Sequence, residues 1–461
     1  MVRTLRLRDP VHGLIVFKPR DPVDQLAWRL LNAPEFQRLR RIKQLGVSEF
    51  VFPGATHTRF AHCIGVFHTA RMLVQVIERE LAEKGEGPDS YREKVAVIAA
   101  LLHDIGHGPF SHAFEHAYAS VRKARGLSEE KSHEEWTAEI IRDPGGGIRP
   151  LLDQFSAEHA EGRPFAEDIA DLLTRENPAD IYHAIVSSSF DADRLDYLRR
   201  DRLMTGSGAG AIDFDWLLDN LTVSDIDAGV DDEGLDTGMT TPSFCLRERA
   251  LQAAEAFVLA RYHLYSQVYL HKTTRCVEVM IDATLARFAR LCSEGLVESS
   301  GVPESHPFAA FFMTGGDTLQ NYLRLDDSLA WSALAMMRSG SDAKLAELAG
   351  RILDRRLYKV LDMNAAYEDP EPRRRATVRI RKRSAQFDPL DILSEAPRVS
   401  AYGEGGADDT KAHKRLMIVN MDGTISEITR KSPVINALET KTLQRFFFSD
   451  ESLRDEMSRG G

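Results

Sequence analysis

Cysteine is scarce in this chain: four in 461 residues, at Cys63, Cys245, Cys276 and Cys292, none paired as CxxC. That excludes a disulfide framework and a zinc ribbon and leaves buried, reduced thiols. Long apolar runs are lacking too; none approaches the roughly 20 residues that span a bilayer, so no membrane partner is expected. The opening residues, MVRTLRLRDP, carry charges where a secretory signal needs an apolar stretch, and a cytoplasmic protein is expected. There is no excess of positive charge either. A formal net charge of -11 excludes a surface that coats nucleic acid or acidic lipid, so an anionic ligand needs a local positive site. No internal repeat is visible.

What is present is an ordinary globular composition, 43% hydrophobic and 28% charged, in a chain too long for one compact core. Histidine is the exception. Eight of the fifteen lie between His57 and His133, where an even spread would put about two or three. Histidines also satisfy cores, so clustering alone does not make a site; their order within the stretch does more.

That order is plainest in Val95 to His116, VAVIAALLHDIGHGPFSHAFEH. It begins as a buried apolar helix and ends in His103, Asp104, His107, His112 and His116, broken by Gly106, Gly108 and Pro109. Ionisable groups at the end of an apolar run need a partner that offsets their desolvation, and a cation is the economical one. On a continuing helix His103 and His107, four apart, share a face, with Asp104 one step round. Pro109 then ends the helix at a cavity.

The remaining pattern predicts a mainly α-helical bundle. A short strand or hairpin is expected in residues 1–20 around His12-Gly13. Helix is expected from Pro22 to Gly46, from Thr56 or Thr58 as cap to about Glu83, and from Tyr91 through the central motif. RKARGLSEEKS reads as a loop, and DPGGGIRP breaks helix. Further helices are expected at 151–175, 178–203, Arg247–Glu294 and Thr318–Leu361. A small β insertion is expected near 205–248, from LTVSDI and SFCLRE. After Pro370 the texture changes, and Asp422-Gly423 reads as a tight hairpin turn. Residues 1–361 are expected to form the core, and 362–461 a small α/β appendage.

His62 on one helix, His103-Asp104 on the next and a carboxylate from SSSFDADRLDYLRRD on a third make a mixed N/O set. It suits Mn, Fe, Zn or Mg with positions left for water. Spacing does not choose among Asp191, Asp193 and Asp196. In that order, HTRFAHCIG, LLHDIGHGPFSH, KSHEEW and FDADRLDYLRRD resemble the motifs of HD-domain phosphohydrolases of the deoxynucleoside triphosphate triphosphohydrolase type, dGTPase-like enzymes whose mammalian branch adds a SAM domain. The resemblance begins at DPVHG, passes through EFQRLRRIKQLG and reaches YLHK and RRLYK.

The resemblance implies His62, His103, Asp104 and Asp193 as metal ligands, and His107, His112, Glu115 and His133 as catalytic histidines with their acid. It implies Arg59, Arg194, Arg261 and Lys272 for phosphate, Tyr197 and Tyr269 against the sugar to exclude a 2′-hydroxyl, Gln44 and Asp201 toward the 3′-hydroxyl, and Leu45 among the substrate-binding residues. Fixed cations beside a metal are what phosphoryl transfer requires. The reaction implied is attack of water on the α-phosphorus of a dNTP, giving a deoxynucleoside and triphosphate. Glu134 reads equally as a surface residue, and His68 and His116 as bland.

Family members regulated by nucleotides carry a second site between subunits. Arg40, Arg355 and Lys359 match it, implying an activating nucleotide, whereas Leu5 and Asn32 depart at the guanine-reading position. Long apolar helix faces point to a homo-oligomer. The run Arg373 to Arg383, seven cations in eleven residues, suits an edge strand through TVRIRKR or an anion site; without interleaved aromatics a nucleic-acid partner is the weaker reading. Two alternatives stand beside the dNTP reading. One is an HD phosphohydrolase on another nucleotide or on nucleic-acid ends; the other is a non-catalytic nucleotide sensor or scaffold.

Overall fold

The computed structural model describes residues 4–126, 131–175, 178–208, 211–227, 240–400 and 412–459. Helices dominate, and the strands form small sheets of two, two, three and four. The architecture is therefore mainly α, as the sequence predicts. Leu5–Asp9 pairs antiparallel with Gly13–Phe17, with Asp9 opposite Gly13. Gly13 supplies the positive φ of +71° that the turn needs.

The helix at the centre is Arg59–Glu83, which packs against the helices Ser90–Leu102 and Ala192–Thr205. Thr58 sits at its N-cap in extended conformation. This is the one described helix long and apolar enough to cross a membrane, which amends the expectation that no segment qualifies; 67% of its apolar window is buried inside the protein. Asp89 caps Ser90–Leu102 by accepting from the backbone N–H of Tyr91 and Arg92, and every residue from Val95 to Leu102 is buried.

That helix stops at Leu102, so His103 and His107 do not share a helical face as the spacing predicts. Tertiary contacts take the backbone instead. The Gly106 N–H donates to Thr137 Oγ1 at 3.0 Å, and Tyr322 Oη donates to the Gly106 carbonyl at 2.5 Å. The expected helix 178–203 is also split, into a short turn Ile181–Ile185 and the helix Ala192–Thr205. Ser188 Oγ donates back to the Ala184 carbonyl at 2.7 Å, and Asp191 caps the new helix through the Arg194 N–H at 2.8 Å.

Other long predictions break similarly: 151–175 into Arg149–His159 and Phe165–Thr174, and 318–361 into Leu319–Tyr322, Asp327–Met337, Ala343–Leu353 and the strand Lys359–Asp362. Arg247–Glu294 is interrupted by a π-turn at Tyr265–Tyr269. Helix His112–Ala124 runs into the expected RKARGLSEEKS loop, of which 127–130 lie outside the described residues.

The basic run is a helix, Pro370–Ser384, and not an edge strand. Its buried residues Ala376, Thr377 and Ile380 form a helical stripe, and Glu371 pairs with Arg374 and Arg375 at 3.0 Å each. The hairpins at Leu221–Asp227 with Thr240–Arg247 and at Met417–Val419 with Ile425–Glu427 form as predicted. Residue 361 lies within a strand whose partner, Arg445–Phe448, also pairs with Ile392–Glu395. Met417–Val419 runs parallel to Thr240–Arg247. All four cysteines are free and buried.

Two large apolar clusters result. One holds the central helix with Phe60 and Cys63; the other holds Phe110, Phe114 and Trp136 with the helix Lys272–Ser293. The histidine motif lies at the seam between them.

Candidate active site

Three segments converge at that seam. His62 projects from the central helix, His103 stands at the C-cap of Ser90–Leu102, and Asp193 lies in the first turn of Ala192–Thr205. One ligating atom from each lies within 4.8 Å of the others. His62 Nε2 is 2.9 Å from Asp193 Oδ1, and His103 Nε2 is 3.7 Å from the same oxygen. Asp104 closes the group, Oδ1 at 3.4 Å from His103 Nε2 and Oδ2 at 3.8 Å from His62 Nε2. Asp191 is spent on capping and Asp196 lies behind His62, so of the three carboxylates that spacing leaves open Asp193 is the one that faces the pocket.

The donor set fits a divalent ion, and the ring tautomers agree. His103 Nδ1 donates to the Ala100 carbonyl at 2.9 Å, while its buried Nε2 makes no hydrogen bond among the described residues and faces the Asp104 and Asp193 carboxylates. His62 Nδ1 donates to Asp196 Oδ2 at 2.8 Å. With Nδ1 held as the donor, an ion that displaces the Nε2 proton would meet an Nε2 lone pair from each ring in the pocket. The electrostatics agree as well. Burial alone would lower His62, but Asp193 and Asp196 outweigh it and raise the imidazole to about 10. Burial would raise Asp193 and Asp104; His103 and His62 hold the former well below the carboxylate range, and Arg59, His103 and His107 the latter. The pocket is built for positive charge.

A second cluster adjoins the first. His107, His112, Glu115 and His133 also offer atoms within 4.8 Å of one another. His107 stacks on His133 at 3.9 Å between ring centres, and its Nε2 lies 3.3 Å from Asp104 Oδ1. Glu115 accepts the His133 backbone N–H at 3.0 Å and lies 3.1 Å from His133 Nδ1 and 3.2 Å from His112 Nδ1. Burial would raise its carboxyl, yet His112 and His133 keep it far below the usual range. Burial, Arg59 and His133 push His107 well down, so it stays neutral. Burial works against the charge on His133 too, but Glu115 raises it. His112, with 62% of its side chain exposed, carries the open end of the cluster.

Arg59 joins the two groups: Nη1 bonds Asp104, and Nε donates to Ser111 Oγ at 2.9 Å. Phe110 and Ser111 hold positive φ, 59° and 56°, a strain that neighbours must over-determine. Asp327 does so by accepting the Phe110 N–H at 2.8 Å and the Lys43 N–H at 2.9 Å, and Ser111 Oγ donates to the Lys43 carbonyl at 2.9 Å.

The expected sugar residues share one wall. Tyr269 Oη donates to Asp201 Oδ2 at 2.7 Å, and His57 Nε2 lies 2.8 Å from Asp201 Oδ1. The rings of Tyr197 and Tyr269 are 6.2 Å apart, and the Gln44 N–H donates to the His57 carbonyl at 3.0 Å. Arg261 lies 5.9 Å from the ring of Tyr265, which stands 4.9 Å from that of Tyr269. Arg194 is held by Asp191 and by the Ser188 carbonyl at 2.8 Å. Gln44 Oε1, His57 Nδ1, Arg194 Nε and Arg261 Nε are buried and make no hydrogen bond among the described residues. Leu45 packs into the main core beside Gln44. Lys272 is not drawn in; it is exposed at the start of its helix beside His271.

Of the expected regulatory residues, Arg40 covers the ring of Phe60 at 3.6 Å and bonds Gln37, while Arg355 donates to the Phe50 carbonyl at 3.0 Å. Lys359 is exposed on its strand, and the three share no partner among the described residues. His68 bonds Arg71, and His116 and Glu134 are exposed. Sequence reasoning missed His57, Asp327 and Arg38. The Arg38 guanidinium, 2% exposed, donates to the carbonyls of Leu325, Ile105 and His107. Nothing in the sequence links Asp327 to Phe110, 217 residues away.

The HD domain family matches residues 59–201, and the HD associated region matches 231–300. A relative from Bacillus subtilis (strain 168), Uncharacterized protein YwfO, is 30% identical over 441 residues, covering 94% of this chain and 89% of that one. The chain belongs to the HD-domain family. The HD-domain match starts at Arg59 and ends at Asp201, so it contains both histidine clusters. Another relative is Deoxynucleoside triphosphate triphosphohydrolase SAMHD1 of Homo sapiens, 26% identical over 448 residues. That match covers 93% of this chain but 64% of the human protein, less than two thirds of its length. Among solved structures, a phosphohydrolase from Bacteroides thetaiotaomicron VPI-5482 superposes with a TM-score of 0.69 at 27% identity, covering 97% of this chain and all of that one.

Proposed function

We propose that this HD-domain protein is a metal-dependent hydrolase that cleaves deoxynucleoside triphosphates to a deoxynucleoside and inorganic triphosphate. The observation that carries the proposal is that the His62, His103, Asp104 and Asp193 pocket meets the Glu115 histidine cluster through His107 and Asp104, and that Tyr197, which faces Tyr269 and through it Asp201, stands one turn after Asp193 on the same helix. The similarity to a relative named for this reaction supports it.

A divalent ion held by the four ligands supplies Lewis-acid activation of water and neutralises phosphate charge. The other steps belong to the chain. Arg59 and Arg194 present fixed guanidinium charge to the phosphate oxygens as charge spreads over them. Glu115 holds the Nδ1 protons of His112 and His133, so His112 turns Nε2 to the open side, where it delivers a proton to the leaving 5′-oxygen. Tyr197 and Tyr269 stand against the sugar face and reject a 2′-hydroxyl by contact. Asp201 and Gln44 receive the 3′-hydroxyl.

Product analysis tests this. Purified protein with Mn²⁺ or Mg²⁺ is given each dNTP alone and all four together, and triphosphate is separated by anion exchange. Release that disappears in Asp193→Ala supports the proposal, and a requirement for the mixture adds an activating nucleotide. Release of phosphate or pyrophosphate, or no product under any mixture, refutes it.

A further inference from the structure

The Asp9–Gly13 turn of the N-terminal hairpin takes no part in the site as described, yet its two ionisable side chains are buried. His12 is 2% exposed at the side chain, and Asp9 is 7% exposed. His12 reaches Asp196 directly and Asp9 reaches it through Arg200; Asp196 is fully buried behind His62. Asp196 Oδ2 accepts His62 Nδ1 at 2.8 Å and Arg200 Nε at 2.7 Å. Its Oδ1 lies 2.6 Å from His12 Nε2 and accepts Arg200 Nη2 at 3.0 Å. Arg200 Nη1 donates onward to Asp9 Oδ2 at 2.8 Å. The other oxygen of Asp9 accepts the backbone N–H groups of Val11 and His12 at 2.8 and 3.0 Å, which fixes the turn that carries His12. The four groups thus close a ring of hydrogen bonds.

The space for this ring is reserved. Gly65, three residues after His62, lies against it, and a Cβ there would stand 2.0 Å from Asp196 Oδ1 and 2.4 Å from Arg200 Nη2. Burying two carboxylates, a guanidinium and an imidazole brings little stability that packed apolar side chains would not match. What such a ring does supply is orientation. A carboxylate that accepts from His62 Nδ1 sets the tautomer and the ring plane, and leaves Nε2 facing Asp193.

We propose that Asp196, clamped by His12 and Arg200, is the positioning residue of the metal centre, and that the N-terminal hairpin is thereby part of the outer shell that sets its affinity for a divalent ion. This rests on His62 being a ligand, not on the identity of the substrate.

The test titrates the full-length chain with Mn²⁺ alone by calorimetry, with no nucleotide present, and records the melting temperature of each variant. Asp196→Asn is expected to raise the Mn²⁺ Kd by about 10- to 100-fold. His12→Ala is expected to raise it in the same direction. His12→Gln restores most of the affinity, because its amide Nε2 still donates to Asp196. If Asp196→Asn fails to fold, the two His12 variants carry the test. Wild-type Kd in Asp196→Asn and His12→Ala, however far melting falls, overturns the proposal, as does His12→Gln binding no better than His12→Ala. A wild-type chain that binds no Mn²⁺ overturns it together with the metal centre. Mn²⁺ binding without triphosphate release refutes only the reaction proposed above.

Discussion

Gly106→Ala is the most economical way to ask whether the two histidine clusters must keep their spacing. Gly106 has ordinary negative-φ backbone, so alanine is not excluded by conformation. The objection is space. A Cβ at 106 would lie 2.1 Å from the His133 carbonyl oxygen, 2.4 Å from the Thr137 nitrogen and 2.6 Å from Thr137 Oγ1, where real contacts do not fall below 3.0 Å. The first two neighbours are backbone at the start of the helix His133–Arg142, so that helix must retreat by about 0.9 Å. Overpacking of this kind costs about 1–3 kcal/mol. The same shift lifts the His133 ring from its 3.9 Å stack on His107 and away from Glu115, and a misplacement of about 1 Å typically costs about 100-fold in rate. Denaturant unfolding and initial rates of triphosphate release measure the two effects. Gly87→Ala serves as control, because nothing lies within 4 Å of its Cβ. A Gly106→Ala protein with wild-type stability and wild-type kcat would refute the steric reasoning.

Glu115→Gln removes the charge that orients His112 and His133, and is expected to lower kcat by about 10²- to 10⁴-fold with the Mn²⁺ Kd unchanged, read by rates beside calorimetry. Burial, then Glu78 and Asp89, push Glu93 up to about 7 from 4.5. The folded state therefore binds the proton more tightly than the unfolded chain, so its stabilising contribution is present below pH about 4.5 and is lost as pH rises through about 7. Wild-type melting is expected to fall between pH 6 and 8 by more than that of Glu93→Gln; parallel curves would count against this. Arg38→Met leaves the carbonyls of Leu325, Ile105 and His107 unpaired and is expected to cost about 3 kcal/mol or more in urea unfolding. A loss under about 1 kcal/mol would mean that other donors reach them.

Local chemistry explains which features were legible beforehand. The mainly helical architecture follows from periodicity, and the hairpins at Gly13, at LTVSDI with SFCLRE and at Asp422-Gly423 from turn residues and alternation, all of which act within a few residues. The breaks at Ser187–Ser189 and at Leu270 were missed because a short serine run or a π-turn interrupts the helical pattern only weakly. The basic helix Pro370–Ser384 was misread for a different reason. Its Ala376 and Ile380 join a small core with Met363, Phe446 and Phe448, and that core, not alternation, decides the conformation.

The sequence by itself determined that histidines and acids cluster at the end of an apolar helix, because composition and order lie along the chain. It also carried the motifs that mark the HD-domain family. Only the tertiary structure decided how those groups are used. It ended the helix at Leu102 by capturing Gly106 from Thr137 and Tyr322, and it turned Asp193 inward while assigning Asp191 to a cap and Asp196 to a ring with His12. It also pinned the strained Phe110–Ser111 turn with Asp327. Apart from the local Asp191 cap, these choices depend on contacts between residues 31 to 217 positions apart, and no local pattern encodes a distance that only packing creates.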